Sequence, residues 1–292
     1  GPHLEGGVYD AVGRRLERAR LYRGGAACDG RTAATRDPAG PTERLQGRYL
    51  YLGWALPHFG HALLESTARL WPLLEPGSAA YAGLLAHRDT GQHAWPEVLS
   101  TALRALGYAP ERAISPDTPV VVDTLDVPSP AFEFDAAAHP ALARVLHAMR
   151  DAVDAGPEPV AAPRSVYISR TGLSADHRIA ANEAQVESIA AQLGFHIFRP
   201  EAHPFAEQIR FMRGARVILG CAGTGLHNAA FAPAGARVVV LCQHDNAPGC
   251  LNQMVLDRVC GHTTEVVFCD APLAFDDAGR GRHPWWLATD RL

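Results

Sequence analysis

The chain has 292 residues, 47% of them apolar, with 27 basic and 31 acidic side chains for a formal net charge of −4. That balance lacks the basic excess of a nucleic-acid binder, and no apolar run approaches the ~20 residues of a membrane span. Every basic residue other than histidine is arginine, which excludes a P-loop lysine, a Schiff base and a pyridoxal-phosphate linkage.

The expectation is a soluble, cytoplasmic enzyme with two medium-sized cores. Gly1-Pro2-His3-Leu4 reads as the remnant of a cleaved tag and is set aside. The arginine-rich run Arg14 to Arg20 reads as a solvated helix face or a frayed terminus. Arg48 to Leu52 predicts a strand, Gly53 to Gly60 a turn, and Phe59 to Leu74 a helix whose buried stripe is Leu63, Thr67, Leu70 and Leu74. His61 and Glu65 fall one turn apart on another face. A polar pair at a helix start just past a strand points into the crevice where open α/β sheets bind ligands. The alternative is a surface pair that merely supports the helix.

Tyr81 to Ala86 and Val120 to Val122 read as further strands, with helices over Trp95 to Leu106 and His139 to Val153. Asp154 to Pro163, rich in proline, suits a linker. It divides an N-terminal acceptor-side domain, residues 5–155, from a C-terminal one, residues 164–275, with a tail at 276–292. Beyond the linker the elements alternate: strand Ser165 to Ser169, loop to Ala181, helix from Asn182 to Gly194, strand Phe195 to Phe198, helix Pro204 to Arg213. Asn182 is placed as the helix cap, with Gln185 completing a capping box. Strands at Val217 to Leu219, Arg237 to Leu241 and Glu265 to Phe268 complete a doubly wound parallel sheet.

Between Leu219 and Phe231 lies Gly-Cys-Ala-Gly-Thr-Gly-Leu-His-Asn, in which Gly220, Gly223 and Gly225 keep the backbone bare at a helix start. Such a turn lets N–H groups approach a diphosphate. The alternative is a tight connection that needs glycine for its own geometry.

The six cysteines contain no C-x-x-C pair and read as free thiols in a reducing compartment. Cys221, in the glycine turn, reads as a small packing residue. Pro284-Trp285-Trp286 in the tail reads as packing against the N-terminal domain, the alternative being a sugar-stacking platform.

The ordered series Tyr167-Ile-Ser-Arg170, Arg178-Ile179, Asn182-Glu183, Gly194-Phe195, Pro200-Glu201, Glu207-Gln208, Ala215, Gly220, Gly223-x-Gly-Leu-x-Asn228, Phe231 and Gly235 resembles the catalytic domain of glycosyltransferase family 61. That family includes plant xylosyl- and arabinosyltransferases, animal protein O-linked N-acetylglucosaminyltransferases and bacterial polysaccharide enzymes. His61-x-x-x-Glu65 resembles its N-terminal H-x-L-x-E element. Two positions depart from the pattern: Ala222 stands where many members have histidine, and Val240-Leu-Cys-Gln243 lacks a glutamate that many carry.

The resemblance implies a GT-B-like fold, two Rossmann-like domains facing across a cleft, with the tail packing back on the first. It implies inverting transfer from a nucleotide sugar, a UDP-sugar by preference, to a saccharide acceptor. The setting it implies is capsule, lipopolysaccharide or other surface-glycan synthesis, with peripheral membrane or glycan-synthesis complex association. No D-x-D occurs, so no metal and no cofactor is expected, and arginine and backbone N–H groups carry the phosphate charge. Under that reading Arg170, Arg178, Asn182, Gly223, Thr224, Gly225, Leu226 and Asn228 bind the donor, the alternative for Asn228 being to fix the turn instead of touching ligand. His61 is the base with Glu65 orienting it or acting in its place, and His227, placed at the cleft edge, is the reserve. The competing classes are a metal-dependent hydrolase built on His58, His61 and Glu65, and a catalytically silent nucleotide-sugar or glycan-binding module.

Overall fold

The computed structural model describes residues 6–29, 33–37, 40, 43–88, 94–153, 163–173, 180–243 and 247–269. The tag remnant, Arg178, the tail with Trp285 and Trp286, and all of the linker but Pro163 lie outside the described residues. The chain divides into two compact units, residues 1–149 and 150–292, and the fold is mixed α/β with parallel sheets in each.

The first unit begins with a hairpin, β1 (Tyr22–Arg23) and β2 (Ala26–Ala27), turned by Gly24 and Gly25 at φ 55° and 77°. Positive φ at both central residues is what a two-residue hairpin demands, and glycine supplies it without strain. The long strand β3 (Glu43–Ala55) follows, then α1 (Phe59–Leu64), β4 (Gly83–Arg88), α2 (Glu97–Ala105), β5 (Ala113–Ile114), β6 (Val120–Asp126), the small hairpin β7 (Phe132–Glu133) and β8 (Ala137–Ala138), and α3 (Pro140–Ala152). Strands order β5-β4-β3-β6 in a four-stranded sheet, every pairing parallel. The inner half of β3 is buried residue after residue from Leu50 to Ala55, as a central parallel strand should be. Leu50, Leu63, Leu64, Leu70, Leu84, Leu99 and Leu103 are fully buried in its core.

The helix expected from Phe59 to Leu74 ends instead at Leu64, with a separate 3-10 turn at Trp71–Leu74. Polar side chains compete with the helix there. Ser66 Oγ accepts from the Leu56 N–H at 2.9 Å and donates to the Trp54 carbonyl at 2.8 Å, while Thr67 Oγ1 donates to the Leu63 carbonyl. Leu63, Thr67 and Leu70 are nonetheless all buried. The chain between them leaves room for Arg69, whose guanidinium is buried and donates to the carbonyls of Pro128, Arg18 and Arg20.

The second unit holds β9 (Ser165–Ile168), α4 (Glu183–Gln192), β10 (His196–Phe198), α5 (Phe205–Met212), β11 (Val217–Cys221), β12 (Arg237–Gln243), α6 (Ala247–Cys260) and β13 (Thr263–Cys269). Its five strands run parallel in the order β10-β9-β11-β12-β13. Between β11 and β12 the connection is a 3-10 helix, Thr224–Phe231. Tyr167, Phe198, Phe205 and Phe231 are the largest fully buried side chains of this unit.

Asn182 does not cap α4 with its side chain. Its φ of −109° and ψ of 25° lie outside the extended region that aims a cap at the first turn. The expectation of free thiols also fails at two positions, since Cys242 and Cys250 form a disulfide. The end of β12 and the first turn of α6 bring their Cα atoms to 6.9 Å. Among the described residues no helix is long and apolar enough to cross a membrane.

Candidate active site

In the first unit the site is built where β3 gives way to α1. The buried end of β3 and the turn at Pro57 and His58 fix the start of α1, so His61 and Glu65 stand one helical turn apart. His61 Nδ1 lies 2.7 Å from Glu65 Oε2. A carboxylate only accepts, so the proton of this bond sits on Nδ1, and in the neutral ring Nε2 then keeps its lone pair. The Glu65 side chain is 2% exposed and that of His61 32%.

Glu65 is held from its other side by Arg23, on β1. Nε of Arg23 reaches Oε1 at 2.7 Å and Nη2 reaches Oε2 at 2.8 Å, a two-pronged pairing. Arg23 Nη2 also stands 3.3 Å from His61 Nδ1. Burial pushes the Glu65 carboxyl up, but the bonds from His61 and Arg23 and the guanidinium charge outweigh it and hold the group below its ordinary range. The Glu65 bond raises the Arg23 guanidinium in turn.

Phe134, at the turn between β7 and β8, closes the arrangement. Its ring meets His61 edge-on with centroids 5.0 Å apart, Arg23 lies over it at 5.9 Å, and its carbonyl accepts from the Gly24 N–H at 2.7 Å. The three-ligand set of His58, His61 and Glu65 is not assembled. Both Glu65 oxygens are engaged by Arg23, and His61 bonds one of them. Among the described residues no group of three or more histidine, cysteine or carboxylate side chains is placed to hold a metal.

In the second unit the chain leaves β9 toward β10 on one side and reaches β11 on the other. The carboxyl ends of β9 and β11 therefore form the switch point at which parallel sheets of this order take ligands. Arg170 follows β9 there and Gly223 follows β11. Arg170 Nη1 donates to the Ala222 carbonyl at 3.3 Å, and a Cβ on Gly223 would stand 3.0 Å from that same nitrogen. Gly220 is bare for a different reason: a Cβ there would press on Ile168 of β9 and on Leu226 at 3.2 Å. At Gly225 a Cβ would meet nothing closer than 3.6 Å.

The N–H groups of Thr224 and Gly225 precede the first internal bond of the 3-10 helix, and both residues are partly exposed. Leu226 differs from expectation, being buried, with its N–H already donated to the Gly223 carbonyl at 3.0 Å. Asn228 is fully buried and fixes the turn by donating to the Gly225 carbonyl at 3.0 Å.

The backbone at Arg170 is anchored from behind. Buried Glu183 accepts the Arg170 N–H at 2.8 Å and the Tyr167 hydroxyl at 3.3 Å, while its other oxygen faces Cys221 Sγ at 3.9 Å. Burial raises the Glu183 carboxyl and the Arg170 N–H opposes it. On the flank, Arg199 grips both oxygens of Glu187, and Glu187 accepts from Ser169 and Thr171. The residues on either side of Arg170 are thus tied to α4. Asn182 is buried at the start of that helix.

His227 is not at the rim. It is 4% exposed, and its Nδ1 lies 2.8 Å from Gln253 Oε1 on α6. Gln253 donates onward to Asp257, which also accepts from Thr264.

Sequence reasoning missed Arg23, Glu187 and Arg199. Arg23 had one legible signal: Tyr-Arg-Gly-Gly-Ala-Ala, a two-glycine hairpin turn just past the arginine-rich run.

The family model described as Glycosyltransferase 61 matches residues 59–239, more than half of the chain. A search of the curated proteins found no match.

Proposed function

The chain belongs to glycosyltransferase family 61 and is a glycosyltransferase, and from that premise we propose that it moves a sugar from a nucleotide sugar, a UDP-sugar, to a saccharide acceptor with inversion and without a metal. The setting we propose is synthesis of a capsule, lipopolysaccharide or other surface glycan.

The observation that carries this reading is the Nδ1 bond of His61 to Glu65, 2.7 Å long, on a ring that is one-third exposed. In the neutral ring it leaves Nε2 as a lone-pair nitrogen for an acceptor hydroxyl. In the proposed step that hydroxyl passes its proton to Nε2 as its oxygen bonds the anomeric carbon. The bond from that carbon to the phosphate oxygen breaks, and the nucleoside diphosphate leaves with the electron pair. A single displacement of this kind inverts the anomeric centre. Support for the donor half comes from the switch point, where Arg170 and the N–H groups of Thr224 and Gly225 offer donors for the departing charge. Arg178 belongs to the same proposal.

Turnover of a panel of nucleotide sugars in the presence of a chelator, with the product anomer read by NMR, tests it. The expected result is an inverted product, with His61→Ala slowing turnover ~10²–10⁴-fold at unchanged donor affinity. A retained anomer, strict dependence on added metal, or near-native turnover in folded His61→Ala would overturn it.

A further inference from the structure

We propose that Arg23, contributed by the N-terminal hairpin, is a positioning residue for the sugar-transfer base: it forks onto Glu65 and offsets the carboxylate charge that would otherwise favour a protonated His61. This rests on the reading of His61 as the base.

The geometry sets the problem. A buried carboxylate 2.7 Å from an imidazole favours the imidazolium, and an imidazolium cannot accept a proton. In this site the carboxylate is not left alone. Arg23 forks onto both oxygens of Glu65 and brings Nη2 within 3.3 Å of His61 Nδ1. The guanidinium offsets the carboxylate charge and adds repulsion against a second cation, yet leaves the Nδ1 bond that sets ring and tautomer. Orientation is kept while the charge that would protonate the base is cancelled.

Arg20, Tyr22 and Arg69 line the cavity beside Glu65, and further charged or titratable groups come from the turns before α1 and after β2 and β7. His58 lies before α1, its ring 5.3 Å from that of His61, Asp135 stands beyond Phe134 on the β7–β8 turn, and Cys28 follows β2. Arg23 and Glu65 alone contact the His61 ring nitrogen among the bonds described. Arg23 also lies outside residues 59–239, so its role comes from the hairpin and not from the span shared with the family.

The test is the titration of His61 itself, followed by NMR on protein carrying labelled histidine, its signal identified by its loss in His61→Asn. The pH profile of kcat/KM is measured beside it. In Arg23→Gln the His61 titration should move up by about one pH unit, and the acid limb of kcat/KM should move with it. Activity at high pH should approach that of the native enzyme, and Arg23→Lys, which keeps the charge, should restore most of the shift. Should Arg23→Gln not fold, Glu65→Gln is compared with the Arg23→Gln, Glu65→Gln double variant, in which no buried anion is stranded. His61 should then titrate lower in the single variant, where Arg23 remains. An unchanged His61 titration in whichever comparison folds overturns the role of Arg23. A titration that moves while the acid limb stays fixed keeps the electrostatic coupling but removes His61 as the base, and with it Arg23 as a positioning residue for transfer.

Discussion

Gly223 lies directly against the guanidinium of Arg170, so close that a Cβ would stand 3.0 Å from Nη1. The neighbour is the free end of a long side chain and Gly223 is not in the left-handed region, so Gly223→Ala should fold normally and push Arg170 aside by a few tenths of an ångström. The affinity for a nucleoside diphosphate should fall about tenfold, equal to ~1.4 kcal/mol. Arg170→Ala, which removes a charged donor outright, should cost ~1.5–3 kcal/mol. Calorimetric titration of both variants checks this, and equal affinity in all three proteins would remove the switch point as the diphosphate site.

Asp257 gives the second unit a pH-dependent stability. Burial raises its carboxyl to about 7, against the bonds from Thr264 and Gln253. The folded pKa lies above the ordinary value of 3.8, so the folded state binds the extra proton between about pH 4 and 7. This contribution is fully present below pH 4 and is lost as pH rises through 7, with a slope of at most about 1.4 kcal/mol per pH unit. Urea unfolding across this range should show the slope in the native protein and a flatter curve in Asp257→Asn.

The Cys242–Cys250 disulfide closes a short loop, with a sequence separation of 8. Chain-entropy arguments assign such a loop about 2.5 kcal/mol. Reduction, or Cys242→Ala with Cys250→Ala, should lower stability by about that amount, and peptide mapping without reductant should recover the two cysteines in one linked fragment.

Arg69 holds the start of the chain against the first unit through the carbonyls of Arg18, Arg20 and Pro128. Arg69→Met keeps most of the stem and strands those acceptors. A loss of ~2–4 kcal/mol is expected, with amide exchange rising first over residues 16–29. Exchange that stays uniform with the rest of the unit would deny Arg69 this anchoring role.

Much of the second unit was legible because its strands are short apolar runs set off by glycine and proline, and their parallel order follows from strand-helix alternation. The pairing of His61 with Glu65 was legible from a spacing of four on a helix. Their partner was not, since Arg23 is 42 residues from Glu65 and reaches it through the return of the hairpin. The overlong helix at Phe59 failed on Ser66 and Thr67, whose hydroxyls bond the backbone of β3 and α1, partners that a periodicity count does not contain. The burial of His227 was not legible because the partner that holds it, Gln253, lies 26 residues on, on α6.

The two-glycine hairpin has a practical consequence for anyone trimming this protein. A version starting at Glu43 would retain both larger sheets, His61 and Glu65 but shed Arg23. Glu65, 2% exposed, would then keep His61 but lose its guanidinium partner, and its buried charge would favour a protonated His61. The shortened protein could bind donor through the intact second unit and still be a poor transferase. The stretch that the family model matches, residues 59–239, leaves out the arginine that pairs with Glu65.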